Sequence, residues 1–393
     1  MAQPILVLTG SNGFLGRHLA AHFRQLGYQV VTIARDGSGD YRWDGRTRSL
    51  WSAALEGADL LVNLAGRSVD CRYTPANRAA ILASRVESTQ VLGQAVAACA
   101  RPPRVWLNAS TATIYPDTRG IAPANTEAAA TPGDTFSEEV GLAWEQAFFA
   151  AEVPAATRRV ALRTAIVLGP DGGAFPVMAR LARFGLCTPQ AGGRQWISWL
   201  HIRDFCRAVQ FVAETEALTG PVNLCAPQPL INAAFNALLT QALDPPLQFP
   251  QPRLLLEAGA WLLRTETELL LKSRKVYPAR LLAAGFEFEY PMCGAAVGAL
   301  LGIKEKTQAD IARAATRATL FASVIRVLGI LLSVLSGLLL GVPYIGIGCL
   351  PIAFVSNVLI LASSLSVSAK LFLVLFPYIF PIVLYTSIFY FCF

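Results

Sequence analysis

Charged side chains are scarce in this sequence. Asp, Glu, Lys and Arg make up 15% of its 393 residues, and from 318 to 393 only Arg326 and Lys370 carry charge. The net charge of +7 divides into +4 for residues 301–393 and +3 for the first 300. A balance of +3 over so long a stretch argues against nucleic acid as a partner. The eight cysteines, at 71, 99, 187, 206, 225, 293, 349 and 392, stand singly with no Cys-x-x-Cys pair, and the three histidines form no cluster. This pattern speaks against a metal centre and fits reduced thiols in a cytosolic compartment. No charged leader with an apolar core precedes the run that starts at Ile5, so a secretory signal peptide is not expected.

Against these absences stands one dense motif, Thr9-Gly10-Ser11-Asn12-Gly13-Phe14-Leu15-Gly16. The apolar run Ile5–Leu8 before it reads as a buried parallel strand. Phe14, Leu15, Leu19 and Phe23 after it fall at helical spacing, up to a stop at Gly27. Strand, glycine turn and helix form the first half of a dinucleotide-binding unit. Gly10 permits the tight turn, Gly13 lets the backbone approach a diphosphate, and Gly16 lets the helix pack on the strand. The anion would then lie at the helix N-terminus.

The second strand, 29–34, ends at Arg35, where a cation suits the 2′-phosphate of NADP and an acid would suit the ribose of NAD. Asp36 follows directly and leaves NAD as the alternative, while Arg17 is a second candidate for the phosphate. Another strand, 59–66, ends in Asn63, Leu64, Ala65 and Gly66, small enough at the end for a cofactor to pass closely. Thr74-Pro75 opens a helix to about Ala100 with Thr as cap and Pro in its first turn. The strand 104–109 runs into Ser110-Thr111-Ala-Thr-Ile-Tyr115, whose hydroxyls either meet a substrate or only bond the turn.

Further on, 134–151 reads as a helix, 157–168 as a strand ending at Gly169-Pro170, and Asp171-Gly-Gly173 as a turn. Residues 192–204 bring Arg194, Gln195, Trp199, His201 and Asp204 together, a mixture that suits a small-molecule pocket. Of these, His201 is read as structural and Asp204 as the cap of a helix starting at Phe205. A strand at 222–224 and a helix at 232–243 follow, then the proline-rich link 244–252. Helices at 253–272 and 278–284 and a half-buried strand at 286–290 close this part. The alternation of strands and helices points to a parallel α/β sheet.

With these residues in hand, the first 291 positions resemble the extended short-chain dehydrogenase/reductase superfamily. Gly10-x-x-Gly13-x-x-Gly16, Asn63-Leu-Ala-Gly66, Leu162-Arg-Thr164 with Gly169-Pro170, and His201-Ile-Arg-Asp204 are its landmarks. More narrowly, the chain is similar to the NAD-dependent (nucleoside-diphosphate-sugar) epimerase-like family that ends in a small C-terminal domain of unknown function. Ser110–Tyr115, Gly169–Gly173, Gly193-Arg-Gln-Trp196 and residues 273–286 match its blocks. The resemblance implies a Rossmann-type doubly wound parallel sheet with a small C-terminal substrate subdomain. It also implies cofactor contacts from Gly10 through Arg17, from Arg35 and from Asn63 to Gly66. Aligned on Glu145, the superfamily's Tyr-x-x-x-Lys pair falls on Ser137 and Gly141, neither of which serves as acid or cation. The narrower family tends to lack this pair. Thr111 matches the superfamily's catalytic Ser/Thr, which leaves Tyr115 as the nearest acid and Arg194 as the cation to assist it.

Residues 301–393 lie outside the resemblance. The stretches 318–341, 344–365 and 371–393 are each 22 to 24 residues long and almost uncharged, the length of a bilayer span. The expected organisation is a cofactor domain at 1–170, a substrate subdomain at 171–300, a basic linker at 301–317 and transmembrane helical hairpins at 318–393. The lipid bilayer is then a partner and the α/β domain cytoplasmic. The composition also admits an erroneous reading frame at the 3′ end. Three functions follow: an NADP(H)-dependent enzyme for a sugar nucleotide or other small carbonyl compound, a cofactor-binding sensor or scaffold, or a regulatory module of a membrane segment.

Overall fold

The run Ile5–Leu8 is apolar at every position because both faces of its strand are covered. Leu6 and Leu8 join one buried cluster with Leu19 and Phe23, whereas Val7 joins another with Trp51 and Leu61. The same alternation repeats along the sheet: Leu60, Val62 and Leu107 face the first cluster, Leu61 and Trp106 the second. The computed structural model describes residues 3–128, 135–186, 189, 192–245 and 272–303.

The strands are β1 (Ile5–Thr9), β2 (Gln29–Ala34), β3 (Tyr41–Arg42), β4 (Leu60–Asn63), β5 (Val105–Thr111) and β6 (Arg158–Thr164). After them come β7 (Ile166–Leu168), β8 (Trp196–Ile197), β9 (Trp199–His201), β10 (Gly220–Leu224) and β11 (Leu230–Ile231). The helices are α1 (Phe14–Gln25), α2 (Pro75–Ala97), α3 (Phe136–Phe149) and α4 (Phe175–Arg183). They continue as α5 (Ile202–Glu214), α6 (Asn232–Leu243), α7 (Ala279–Ala283) and α8 (Cys293–Leu300).

Seven strands pair in parallel in the order β10-β6-β5-β4-β1-β2-β3. Residues of α1 and α5 pack on one face and residues of α2 and α3 on the other. The chain leaves β1 toward β2 on one side and resumes at β4 on the other, so a crevice opens beyond Thr9 and Asn63, where the strand order reverses. A smaller third cluster, with Phe175, Trp199, Phe235 and Val297, joins α4, β9, α6 and α8.

Thr74 caps α2 as its sequence implies, accepting from Asn77 N at 3.3 Å. Three expectations change. The strand expected at 157–168 breaks at Ala165, whose N–H turns to the Leu224 carbonyl, and β7 leaves the main sheet to pair with β9. Helix α5 begins at Ile202 with His201 as its cap, not at Phe205 with Asp204. Residues 286–290 form no strand: the N–H groups of Glu289 and Tyr290 donate to the Asp204 carboxylate, 2.8 Å each.

The described residues from 3 to 245 and from 272 to 302 belong to one compact unit. The helix expected at 253–272 falls outside the described residues except for Lys272, and the apolar stretches from 318 to 393 fall wholly outside them. Among the described residues no helix is long and apolar enough to cross a membrane.

Candidate functional site

The glycine turn is built so tightly that Gly10 and Gly16 leave no space for a side chain and Gly13 leaves little. Gly10 stands at φ +72°, and a Cβ on it would lie 2.6 Å from the carbonyl oxygen of Leu64. A Cβ on Gly16 would collide with the Gly10 carbonyl, and one on Gly13 would lie 3.3 Å from the same oxygen. Gly13 caps α1 with no side chain bonded to the first turn and no acid within it. The helix N-terminus therefore keeps its N–H groups for an external anion, and the cradle fits the diphosphate of a dinucleotide.

Around this turn the expected contacts divide. Ser11 is buried, and Leu15 packs on the cluster shared by α1 and α5. Asn63 is fully buried and spent on the sheet: Thr9 Oγ1 donates to its Oδ1 at 2.6 Å, and its Nδ2 donates to Asn108 Oδ1 at 2.7 Å. Asn63 therefore ties three strand ends together through its side chain. Leu64 serves through its backbone, donating to the Thr9 carbonyl and lying over Gly10. Ala65 and Gly66 line a cavity of about 340 Å³ with Arg35, Trp43, Arg46 and Arg67. Arg46 is paired there with Glu87 at 2.7 Å.

The two candidates for a 2′-phosphate are thus in different places. Arg35 lines the cavity, whereas Arg17 donates to Asp171 at 3.3 Å. Asn12 Nδ2 donates to the Asp36 carboxylate at 2.8 Å. The Ser38 hydroxyl, more than Asn12, holds that carboxyl below its ordinary range. Phe14 is a wedge rather than a contact. Its ring lies against the 169–173 turn so closely that a Cβ on Gly172 would stand 2.5 Å from Cδ2, and one on Gly169 would collide with the ring tip. His18 and Arg17 hold Asp171 in the same turn, at 2.8 and 3.3 Å.

At the end of β5 the residues expected as acid and assisting cation lie apart. Tyr115 is fully buried; its hydroxyl donates to Asn223 Oδ1 at 2.7 Å and accepts from Arg163 Nη1 at 2.9 Å. Burial raises its pKa despite the opposing pull of Arg163. With its hydroxyl engaged twice, Tyr115 offers no proton to a substrate. The cation beside it is Arg163, not Arg194, which is exposed in the segment between α4 and β8. Arg163 forms a two-pronged pair with Glu145, 2.8 and 2.7 Å, and Ser110 donates to the same carboxylate at 2.6 Å. Thr111 is half-buried, and its Oγ1 accepts from Thr113 N at 3.1 Å and shares a bond with Thr113 Oγ1 at 2.8 Å. Across from it, a Cβ on Gly141 would lie 3.2 Å from Thr111 Cγ2, and Ser137 is buried. Helix α3 is thus seated closely against the end of β5 at Gly141.

The sequence did not assign a role to residues 273–277. They form a strap that ties two distant loops. Thr118 N donates to the Ser273 carbonyl at 3.0 Å, Asn125 N to Lys275 O at 2.7 Å and Tyr277 N to Asn125 O at 2.9 Å. On its other side Arg274 N donates to Trp196 O, and Val276 N to Ser198 Oγ, both at 2.9 Å. Lys272 and Arg274 reach Glu138 at the start of α3, 2.7 and 3.3 Å. Burial pushes that carboxyl up, but bonds from Lys272 and Thr135 outweigh it and leave its pKa lowered. His201 is pushed down to about 4, first by burial and then by the charge of Arg203.

Comparison with known proteins agrees with this geometry. Residues 6–225 match the NAD dependent epimerase/dehydratase family, and residues 251–300 match a domain of unknown function, DUF1731. The bovine epimerase family protein SDR39U1 is 33% identical over 298 residues, 74% of this chain and 98% of that one. An epimerase family protein of Staphylococcus epidermidis is 31% identical over 289 residues, 72% and 94% of the two chains. The crystal structure of human SDR39U1 with NADPH superposes with a TM-score of 0.65 at 28% identity, over 76% of this chain and 99% of that one. UDP-glucose 4-epimerase of Thermotoga maritima, crystallised with UDP-glucose, shares the fold at a TM-score of 0.61 and 15% identity, over 76% and 98%.

Proposed function

This chain belongs to the NAD-dependent epimerase/dehydratase family, and we propose that it binds NADP(H) and acts as a reductase or epimerase on a sugar nucleotide or other small carbonyl compound. The observation that carries the reading is the cavity beyond β2 and β4, lined by Arg35, Arg46 and Arg67 together with Ala65 and Gly66, which follow β4. The cradle would hold the diphosphate, and Arg35 the 2′-phosphate. A nicotinamide cofactor bound there supplies hydride transfer. The chain's own part is to orient: the Phe14 wedge fixes the 169–173 turn over α1, and the Thr111 and Thr113 hydroxyls stand half-buried at the strand end. The crowding at Gly141 and the engagement of Tyr115 favour a second reading, a cofactor-loaded sensor without turnover.

The test is fluorescence titration of NADPH and NADH into the full chain and its Arg35→Ala variant. Loss of a charge-assisted contact should weaken NADPH about ten- to a hundredfold and leave NADH nearly unchanged. Equal preference in both proteins overturns the assignment. Turnover against a carbonyl panel then separates enzyme from sensor. The near absence of charge from 318 to 393 supports a membrane tether, and Lys304, Lys306, Arg313 and Arg317 before it favour the cytosolic side for the α/β unit. Release of the full chain from membranes by alkaline carbonate would sink that part.

A further inference from the structure

Segment 66–85, which leaves β4 and enters α2, carries four arginines against one aspartate. Most of these cations are accounted for: Arg67 donates to Asn77 Oδ1 at 2.9 Å, Arg78 lies 4.5 Å above the Phe136 ring, and Arg72 also has bonding partners. Arg85 differs. Its Nη1 donates to the carbonyls of Arg67 and Ile81, both at 3.1 Å, and no carboxylate among the described residues pairs with it. The guanidinium is wedged between Gly66, where a Cβ would lie 3.4 Å from Arg85 Cζ, and the Trp144 ring at 5.1 Å. Burial lowers its pKa to about 10, a desolvation that Tyr73 opposes only weakly.

A half-buried guanidinium that bonds two carbonyls through one nitrogen and pairs with no described carboxylate keeps donors and charge for an anion. Its place narrows what that is. Gly66 ends the β4 arm of the crevice and also lines the arginine cavity, so Arg85 stands beside the path of the cofactor. Yet its other wall is Trp144 of α3, the helix seated against Thr111, and Trp144 donates to Thr89 rather than to the cradle. The diphosphate already has the α1 N-terminus. We propose that Arg85 receives the carboxylate or phosphate of an anionic substrate, held on the α3 side of Gly66. The inference rests on the reading of this crevice as a nicotinamide-cofactor site.

The same chemistry could serve the cofactor's own diphosphate, and the experiment separates the two. The full chain, Arg85→Gln and Arg85→Lys are each titrated with NADPH by fluorescence. Thermal unfolding of each NADPH complex is then followed as inorganic phosphate is added, with chloride at matched ionic strength as control. The expected result is NADPH affinity in Arg85→Gln within about twofold of the parent, with phosphate stabilising the parent complex and binding Arg85→Gln about ten- to a hundredfold more weakly. Arg85→Lys should keep part of the phosphate response, because the charge remains. A parallel loss of NADPH affinity in Arg85→Gln overturns the proposal in favour of the diphosphate. So does a parent complex that ignores phosphate while binding NADPH. Failure of NADPH to bind the parent removes the cofactor reading and this inference together.

Discussion

A methyl group on the Cα of Gly141 would lie 3.2 Å from Cγ2 of Thr111 and 3.3 Å from Cβ of Ile114. Helix α3 is therefore fitted to the end of β5 by a side chain it lacks. Gly141→Ala should lose stability, because overpacking of about 1–3 kcal/mol exceeds a helix-propensity gain of about 1 kcal/mol. Restoring the superfamily's residue types with Ser137→Tyr and Gly141→Lys should destabilise further and create no reductase. Urea midpoints check both; a more stable Gly141→Ala would show that β5 yields.

Glu145 and Arg163 bury a two-pronged ion pair with Ser110 and Tyr115 attached. Glu145→Gln leaves a buried guanidinium uncompensated and should cost about 3–5 kcal/mol. Tyr115→Phe leaves Asn223 and Arg163 each short of one partner and should cost about 1–3 kcal/mol. Turnover per folded molecule should be unchanged in Tyr115→Phe. A folded, stable Tyr115→Phe with turnover abolished would return the tyrosine to the chemistry.

His201 is 3% exposed and caps α5 through a neutral ring, Nδ1 accepting from Arg203 N at 3.1 Å. Its pKa of about 4 lies below the unfolded value near 6.5, so the unfolded chain binds more protons between these limits. Stability from this group is full above about pH 6.5 and falls as the pH drops toward 4, by about 3 kcal/mol in all. His201→Asn keeps an acceptor at the cap without titrating. It should flatten the slope of stability with pH in that window, and an unchanged slope would exclude His201 as its source.

Phe14 fills the space that Gly169 and Gly172 leave. Gly172→Ala should displace the ring, cost about 1–3 kcal/mol and weaken NADPH binding, since the ring begins α1. Phe14→Leu in the same chain should recover part of both losses. Independent, additive effects of the two substitutions would mean that the wedge is not shared.

What the sequence made legible was local. The turn at Gly10, the cap at Thr74 and the helix 232–243 depend on residues within one or two turns of each other, and each stands where its pattern implies. The surroundings of the expected site residues depend on distant partners. Asn63 ends a strand in small residues, but Thr9 and Asn108, 54 and 45 positions away, claim its side chain. Arg194 is the cation the sequence offers to Tyr115, whereas parallel pairing of β5 with β6 brings Arg163 to it. The expected strand at 286–290 had the right alternation, but its N–H groups found Asp204, which no periodicity foretells.

The strap at 273–277 sets the order in which the molecule can finish folding. Ser273 meets Thr118 across 155 positions, and Lys275 meets Ala122 across 153. A ribosome releases the chain N-terminus first, so β1 to β6 and their helices can collapse while these loops still await their partner. Contacts over such separations close late, after the local ones have formed. The strap is thus among the later parts of the unit to set, and a nascent chain halted before residue 273 lacks the tie between the 118–125 loop and β8.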